Sequence, residues 1–316
     1  MIIKPILIIG APRSGTSLLQ KIIRNYPQLW SLPSESEIIW DRYCHPRLHH
    51  WHSEYLTAAD ITQQIRAKIL KQFEQYLCPA TVWQPIEKQN LIWHSHRLRW
   101  LRQLLRPIYQ YTFPISQKFR HQPANKKIVE KTISNSLRLG FVNEVFPDAK
   151  IIYITRDGRN NINSLINAWL HPTRFFSYRL PVQLNIKGYH YQQWKFVLPP
   201  GWRDYIECPL EEVCAFQWQS CHQFILKEIA KPQYHNRVLR VKLEDLTTEP
   251  LRWLKKIAEF VDLPYDDYFD SMATDLPIIN SPDNDISMEK WKQQHRVQIE
   301  RVMPMIEQTM QQLEYQ

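Results

Sequence analysis

The chain has 316 residues, enough to bury a core without disulfide or metal staples, and its 44% hydrophobic and 22% charged content is that of an ordinary globular protein. That composition excludes disordered, collagen-like and low-complexity chains, and the lack of any run of 18 apolar residues excludes a transmembrane helix. Lys and Arg number 40 against 31 Asp and Glu, so the formal charge of +9 favours an anionic partner without choosing among nucleotide, nucleic acid and membrane surface.

Residues 5–9 are a continuous apolar run, the pattern of a strand buried on both faces of a parallel sheet. The run is too short for the apolar region of a signal peptide, and no small-residue cleavage site follows it. Five cysteines, an odd number with no C-x-x-C, read as reduced thiols, and the expected location is cytoplasmic. From about Thr16 to Arg24 the pattern is helical, with Leu18, Leu19, Ile22 and Ile23 on one face, and Asn25-Tyr26-Pro27 ends it. Residues 36–125 read as a mostly helical insertion without strand alternation. Within it, Ile61, Ile65, Ile69, Phe73 and Leu77 mark an amphipathic helix over 61–77. Arg97, Arg99, Arg102 and Arg106 mark a basic one over 97–106, read first as a solvated face and second as a partner or membrane contact.

Strands alternate with helices beyond the insertion. A strand is expected at 127–130, a helix at 136–146, a strand at 150–155 and, after Arg156-Asp157-Gly158-Arg159, a helix to about Trp169. Residues 171–210 are irregular, aromatic and Pro-rich, the expected substrate loop or lid, although their rings could equally cover the core. A helix over 211–230, a strand over 237–243 and a helix over 249–261 follow. Residues 265–287 read as loop, and 288–314 as helix with a kink or break at Pro304. The pattern predicts the α/β class: one domain over 1–316, with a central parallel sheet flanked by helices.

Glycine is scarce, with six in the chain, and two of them, Gly10 and Gly15, fall in one six-residue stretch. The segment Gly10-Ala-Pro-Arg-Ser-Gly15-Thr16-Ser17 lies between the first strand and its helix, where a glycine loop can turn successive backbone N–H groups toward an anion. It nearly matches G-x-x-x-x-G-K-[ST], but Thr16 stands at the Lys position that would reach the β- and γ-phosphates of a triphosphate. The cation has moved to Arg13. The departure argues against a nucleoside or small-molecule kinase, which stays as the alternative; a ligand-free strand-to-helix turn and a non-enzymatic basic nucleic-acid binder are the other readings.

Pro12-Arg13-Ser14-Gly15-Thr16-Ser17-Leu18-Leu19 resembles the phosphosulfate-binding loop of sulfotransferases, the enzymes that use 3′-phosphoadenosine 5′-phosphosulfate (PAPS), and the Arg is similar to their carbohydrate- and tyrosyl-protein-type branch. Arg156-Asp157-Gly158-Arg159 followed by Ser164 is similar to their 3′-phosphate-binding segment. Val129-Glu130-Lys131-Thr132 resembles the E-K-T segment, and Val241 to Leu246 resembles the V-R-Y-E-D-L strand, with Leu243 where many members carry a Tyr near the adenine. The resemblance implies a P-loop-NTPase-like three-layer sandwich and transfer of a sulfuryl group from PAPS to a hydroxyl, less readily an amine, of a small molecule, sugar or lipid. It implies a donor site of Arg13, Ser14, Gly15, Thr16, Ser17, Arg156 and Ser164, with Arg13 and Lys131 acting on the sulfuryl group. Asp157 is expected to be structural.

For the base, the resemblance picks Glu35 in Ser34-Glu35-Ser36-Glu37, aligned through Ile38-Ile39, with Glu37 as the second choice. His94 and His96 are the competing bases. The cluster His45, His49, His50 and His52 has no neighbouring Cys and no H-E-x-x-H, so no metal is expected. No nucleic-acid partner and no membrane span are expected, and the oligomeric state is open.

Overall fold

In the computed structural model, which describes residues 1–32, 35–79, 125–277 and 289–316, the first apolar run is a strand at the centre of a sheet. The strands are β1 (Ile6–Ile9), β2 (Leu29–Ser31), β3 (Cys78–Pro79), β4 (Lys127–Glu130), β5 (Lys150–Thr155), β6 (Ser177–Tyr178), β7 (Trp194–Lys195) and β8 (Val238–Lys242). The main sheet runs in the order β3-β2-β4-β1-β5-β8. The five strands from β2 to β8 are mutually parallel, and only the edge strand β3 is antiparallel.

Period-two alternation decides what each face of the sheet carries. Ile6 and Ile8 of β1, with Ile152 and Ile154 of β5, face one apolar cluster; Leu7 and Ile9, with Ile151 and Tyr153, face the other. Both faces are covered, which is why β1 reads as an unbroken apolar run rather than an alternating one. A one-residue slip would exchange the two sets, so the register Ile6↔Lys150 through Ile9↔Tyr153 is fixed by both clusters at once.

The helices are α1 (Thr16–Arg24), α2 (Glu37–Cys44), α3 (Gln63–Tyr76), α4 (Leu139–Val145), α5 (Gly158–Leu170), α6 (Leu210–Ile229), α7 (Leu243–Thr248), α8 (Pro250–Phe260), α9 (Asp267–Thr274), α10 (Lys290–Gln294) and α11 (Arg296–Gln312). On the first face, α1, α8 and α9 bury Leu19, Ile22, Leu254, Ile257 and Phe269. On the second, α2 to α6 and α11 bury Trp40, Phe73, Phe141, Trp169, Trp218 and Ile306 among others. Each such side chain contributes roughly 1.5–3 kcal/mol when fully buried.

Several local expectations change. The stretch Leu29–Ser31 is a strand, and β3 places a short strand inside the region expected to be mostly helical and without strand alternation. The helix expected over 136–146 is a 3-10 turn (Ile133–Leu137) followed by α4, because Arg138 leaves helical geometry at φ −135°. The loop expected over 265–287 contains α9, whose cap Asp266 accepts from the Tyr268 N–H at 3.1 Å. The C-terminal break lies at His295 and not at Pro304. Pro304 stays inside α11 because Ile299, Val302, Ile306 and Met310 bury one face on both sides of it, while Glu300, whose carbonyl loses its partner, is exposed.

Residues 171–210 contain the small β6–β7 ladder and combine buried anchors with an exposed surface. Trp194, Val197, Leu198 and Trp202 are fully buried, and Tyr178, Leu184 and Ile186 nearly so. Among the rings of this segment, Trp194, Trp202 and Tyr189 cover the core, whereas Phe175 is only half-buried and Phe176 and Tyr191 are exposed. The proposed basic helix over 97–106 lies outside the described residues.

Candidate active site

Every sequence-predicted site residue except His94 and His96, which lie outside the described residues, falls beyond the carboxyl end of a parallel strand. In an open α/β sheet this edge forms the crevice for ligands. The loop 10–17 follows β1, Glu35 lies beyond β2, Lys131 follows β4, and Arg156 follows β5.

The loop is closely packed from below. A side chain at Gly10 would bring Cβ to 2.4 Å from the Ile154 carbonyl oxygen and 2.8 Å from Ser14 Oγ, so only glycine fits. Gly15 has φ +99° and also lies against Leu243, whose Cδ1 would stand 2.6 Å from an added Cβ. Three side chains hold the backbone. Ser136 Oγ donates to the Gly10 carbonyl at 2.7 Å and faces the Gly10 N–H at 3.3 Å, and Asn161 Nδ2 donates to the Pro12 carbonyl at 2.8 Å. Arg156 Nη1 donates to the Arg13 carbonyl at 3.2 Å. Arg13 itself sits at φ +71°, a left-handed backbone for a branched-free but bulky residue, which costs about 1–3 kcal/mol and is held by these contacts.

The loop is made for an anion. No side chain caps α1, so its first N–H groups and its positive dipole end face the crevice. Ser14 Oγ is buried and has no hydrogen-bond partner among the described residues. A buried hydroxyl without a partner costs stability unless something else satisfies it, and a ligand phosphate or sulfate oxygen would do so.

Arg13 Nε donates to Ser164 Oγ at 3.1 Å, and its guanidinium lies 5.0 Å from the Phe175 ring centre. The loop cation and the residue expected in the 3′-phosphate site are therefore in direct contact. Burial, then the charges of Arg156 and Arg174, pull the Arg13 pKa down to about 10. Burial also lowers that of Arg156, with Glu244 and Asp157 opposing. Asp157 is structural, as expected: its carboxylate caps α5 through the Arg159 N–H at 2.8 Å and pairs with the Arg159 guanidinium. Glu244 accepts from the Asp157 N–H at 3.0 Å and from the Tyr315 hydroxyl at 2.9 Å, drawing the C-terminus to this edge.

Lys131, 2% exposed, joins the two halves of the site. Its Nζ donates to Ser17 Oγ at 3.3 Å and pairs with Glu35 Oε1. Glu35 Oε2 also faces the Ile133 N–H at 3.5 Å. Burial opposes ionisation of Glu35, but the Lys131 ammonium, a hydrogen bond with Glu37 and the Lys131 and Ile133 hydrogen bonds together hold its carboxyl below the ordinary value. Glu37 moves the other way. Burial, the neighbouring Glu35 charge and the hydrogen bond they share push it well above the carboxylate range. A proton shared by the pair is therefore favoured on Glu37 over Glu35.

The E-K-T segment fixes the Glu35 loop from three sides. Glu130, nearly fully buried, accepts from Ser36 Oγ, from Trp40 Nε1 at 2.9 Å and from Asn135 Nδ2 at 3.0 Å. Thr132 Oγ1 accepts from the Ser36 N–H at 3.1 Å, while Lys131 takes Glu35. Glu130, Thr132, Ser36, Ser136 and Asn161 were not singled out as site residues from sequence. The E-K-T resemblance was the signal for the first two; the others meet the site only through tertiary contacts.

A family model described as the sulfotransferase family matches residues 5–201, well over half of the chain, including the loop 10–17, Glu35, Lys131, Arg156 and Ser164. The chain belongs to the sulfotransferase family. It is 24% identical over 269 residues to a protein-tyrosine sulfotransferase of Drosophila melanogaster, covering 83% of this chain and 38% of that protein. It is 24% identical over 127 residues to protein-tyrosine sulfotransferase A of Caenorhabditis elegans, covering 40% of this chain and 25% of that one. The chain therefore spans well under half the length of these curated relatives. Its fold is similar to that of the sulfotransferase STF9 of Mycobacterium avium, with a TM-score of 0.50 and 17% identity, covering 100% of this chain and 78% of that one. The α/β sandwich expected from the resemblance is the fold of this family.

In this sulfotransferase-family chain, the histidines of 45–52 make local packing and backbone contacts. His45 Nδ1 accepts from the Arg47 N–H at 3.1 Å, and its ring packs against Trp51 and Tyr178; His49 Nε2 meets the Tyr43 carbonyl at 3.4 Å. Among the described residues, no three His, Cys, Asp or Glu side chains gather so as to hold a metal ion, and no helix is long and apolar enough to cross a membrane.

Proposed function

We propose that this chain transfers a sulfuryl group from PAPS to a hydroxyl of a small molecule, sugar or lipid. The observation that carries the reading is Lys131. One buried ammonium bridges Ser17, in the first turn after the anion loop, and Glu35, the one carboxylate held ionised beside it.

The residues present fit the donor. The partnerless Ser14 hydroxyl, the glycine cradle and the uncapped α1 suit the phosphosulfate end, and Arg156 with Ser164 suits the 3′-phosphate. PAPS carries about four negative charges and, when bound, supplies the activated sulfuryl group. Arg13, Ser14, Gly15, Thr16 and Ser17 would hold one end of it and Arg156 and Ser164 the other. Leu243 lies against Gly15 in place of an aromatic ring, so stacking on the base is not supplied from that position.

Glu35, with 25% of its side chain exposed, is open enough to accept a proton from an acceptor hydroxyl at a carboxylate oxygen. Lys131 neutralises Glu35 at rest. As Glu35 gains the proton its charge falls away, and the ammonium becomes available to negative charge building on the departing phosphate side. The hydrogen bond with Glu37, whose carboxyl is pushed toward its protonated form, favours the ionised form of Glu35.

The test is calorimetry with 3′,5′-bisphosphoadenosine, followed by an acceptor panel assayed for its release from PAPS. The panel includes phenols, sugars, lipids and a tyrosine peptide, the last because the curated relatives are named protein-tyrosine sulfotransferases. Binding is expected in the wild type and in Glu35→Gln, with turnover lost by at least about a hundredfold in the latter. Arg156→Ala should lose affinity. A wild type that shows no heat with the nucleotide, or a Glu35→Gln variant that turns over normally, would overturn the reading.

A further inference from the structure

Behind β5, on the face that carries α6 and α11, three polar side-chain atoms lie in the core without a partner. Trp218 Nε1, His222 Nε2 and Thr309 Oγ1 have no hydrogen bond among the described residues, and all three residues are fully buried. A buried donor or acceptor left unpaired costs stability, so three of them in one place need a common explanation.

Several contacts bring the three together. Trp218 and His222 are one turn apart on α6, with ring centres separated by 4.7 Å. Arg301 Nη1 donates to Glu211 Oε1 at 2.5 Å and Gln219 Nε2 donates to the Met305 carbonyl at 2.6 Å, so α6 and α11 run side by side in the same direction. One turn beyond the Gln219–Met305 contact, His222 stands opposite Thr309. Thr309 is also bracketed along its own helix. One turn before it, Ile306 adjoins Trp218: a Cβ at Gly158 would meet Trp218 Cη2 at 3.1 Å and Ile306 Cδ1 at 3.2 Å. One turn after it, the Gln312 carbonyl accepts from Arg240 Nη1 at 3.3 Å, and the Arg240 charge acts on His222.

The protons can be assigned. Burial keeps the Tyr153 hydroxyl protonated and His222 neutral. The Tyr153 hydroxyl lies 2.6 Å from His222 Nδ1 and gives its proton a partner there, which leaves the single imidazole proton on Nε2. Trp218 Nε1 is a donor only. Two N–H donors cannot satisfy each other; they need a small acceptor that can also engage the Thr309 hydroxyl. An anion in this core would need a cation in contact with it. Arg240 is already committed to the Gln312 carbonyl and to Glu314. The occupant that fits is neutral, small and able both to accept and to donate.

We propose that Trp218, His222 and Thr309 form an internal binding site for one water molecule, which accepts from Trp218 Nε1–H and His222 Nε2–H and donates to Thr309 Oγ1, tying α6 to α11 behind β5. Three hydrogen bonds are the usual complement of a buried water. Because the Trp218 ring backs Gly158, this water belongs to the packing beneath the corner where β5 passes into α5. The site is the same whichever nucleotide the chain binds.

Thr309→Val keeps the shape of the side chain and separates the alternatives by sign. In a dry site it removes a buried hydroxyl that has no partner, and the melting temperature should rise. In the hydrated site it removes the group that receives the water's proton, and the melting temperature should fall by about 2–5 °C. A rise, or no change, overturns the proposal. A crystal structure of the wild type gives an independent reading that needs no variant to fold. Density for a water at roughly 2.7–3.2 Å from all three atoms is expected. Direct hydrogen bonds among the three side chains, or an ion at that point, would overturn the proposal.

Discussion

Glu35 and Glu37 are two residues apart and are driven in opposite directions, and the difference lies in one ammonium. Lys131 faces Glu35 and leaves Glu37 to burial and to its neighbour's charge. A base whose pKa lies below the ordinary 4.5 stays ionised through weakly acidic conditions, so turnover should fall only as pH drops beneath that value. Glu37→Ala removes a hydrogen-bond donor from Glu35 and should shift that acid limb to higher pH. Glu37→Gln retains an N–H donor and should stay near the wild-type profile. Release of bisphosphoadenosine against pH measures both; coincident acid limbs in the wild type and the alanine variant would refute the shared-proton account.

The loop between β1 and α1 shows how much of an element can be read ahead of its structure. In a chain with six glycines, Gly10 and Gly15 stand out, and each proves to be confined, by the Ile154 carbonyl and by Leu243. Gly10→Ala should therefore destabilise the protein by ~1–3 kcal/mol, since the obstructing atom is backbone and cannot rotate away. It should also abolish nucleotide binding, as thermal melts with and without bisphosphoadenosine would show; a normal ligand-induced shift in that variant would mean the cradle is misplaced. The long apolar runs were legible for a physical reason: strands buried on both faces have no polar alternation to blur them. β2 was not, because three residues carry no period. α9 carries Asp266 at its cap and Asp267 and Asp270 in its first turn, but its eight residues are too short to stand out from the loop expected over 265–287. The clasp around Glu35 was beyond sequence reading, since Ser36 meets Thr132 across 96 positions and only the fold brings them together. Likewise the contact of Arg13 with Ser164 spans 151 positions, and spacing within each motif cannot report it.

At the scale of the whole molecule, α6 carries His222 into the core against β5. Its Nδ1 lies 2.6 Å from the Tyr153 hydroxyl, and burial followed by the Arg240 charge lowers its pKa from 6.5 to about 3. A depressed folded-state value means that the unfolded chain binds the proton more readily between these limits. The contribution to stability is full above 6.5 and is lost as pH falls toward 3, by roughly 5 kcal/mol at the most. Melting temperature should decline across that window, and His222→Gln, though less stable at neutral pH, should decline less; parallel curves for the two proteins would contradict the account. The strand order has a different consequence. The chain leaves the sheet at Pro79, on the edge strand, and rejoins it at Lys127, two strands inward, whereas Arg156, Ser164 and Leu243 lie beyond β1 on the opposite flank. The connection between β3 and β4 therefore leaves and re-enters the sheet on the Glu35 flank. A lineage could thus lengthen or shorten that connection without disturbing the flank proposed to grip the nucleotide.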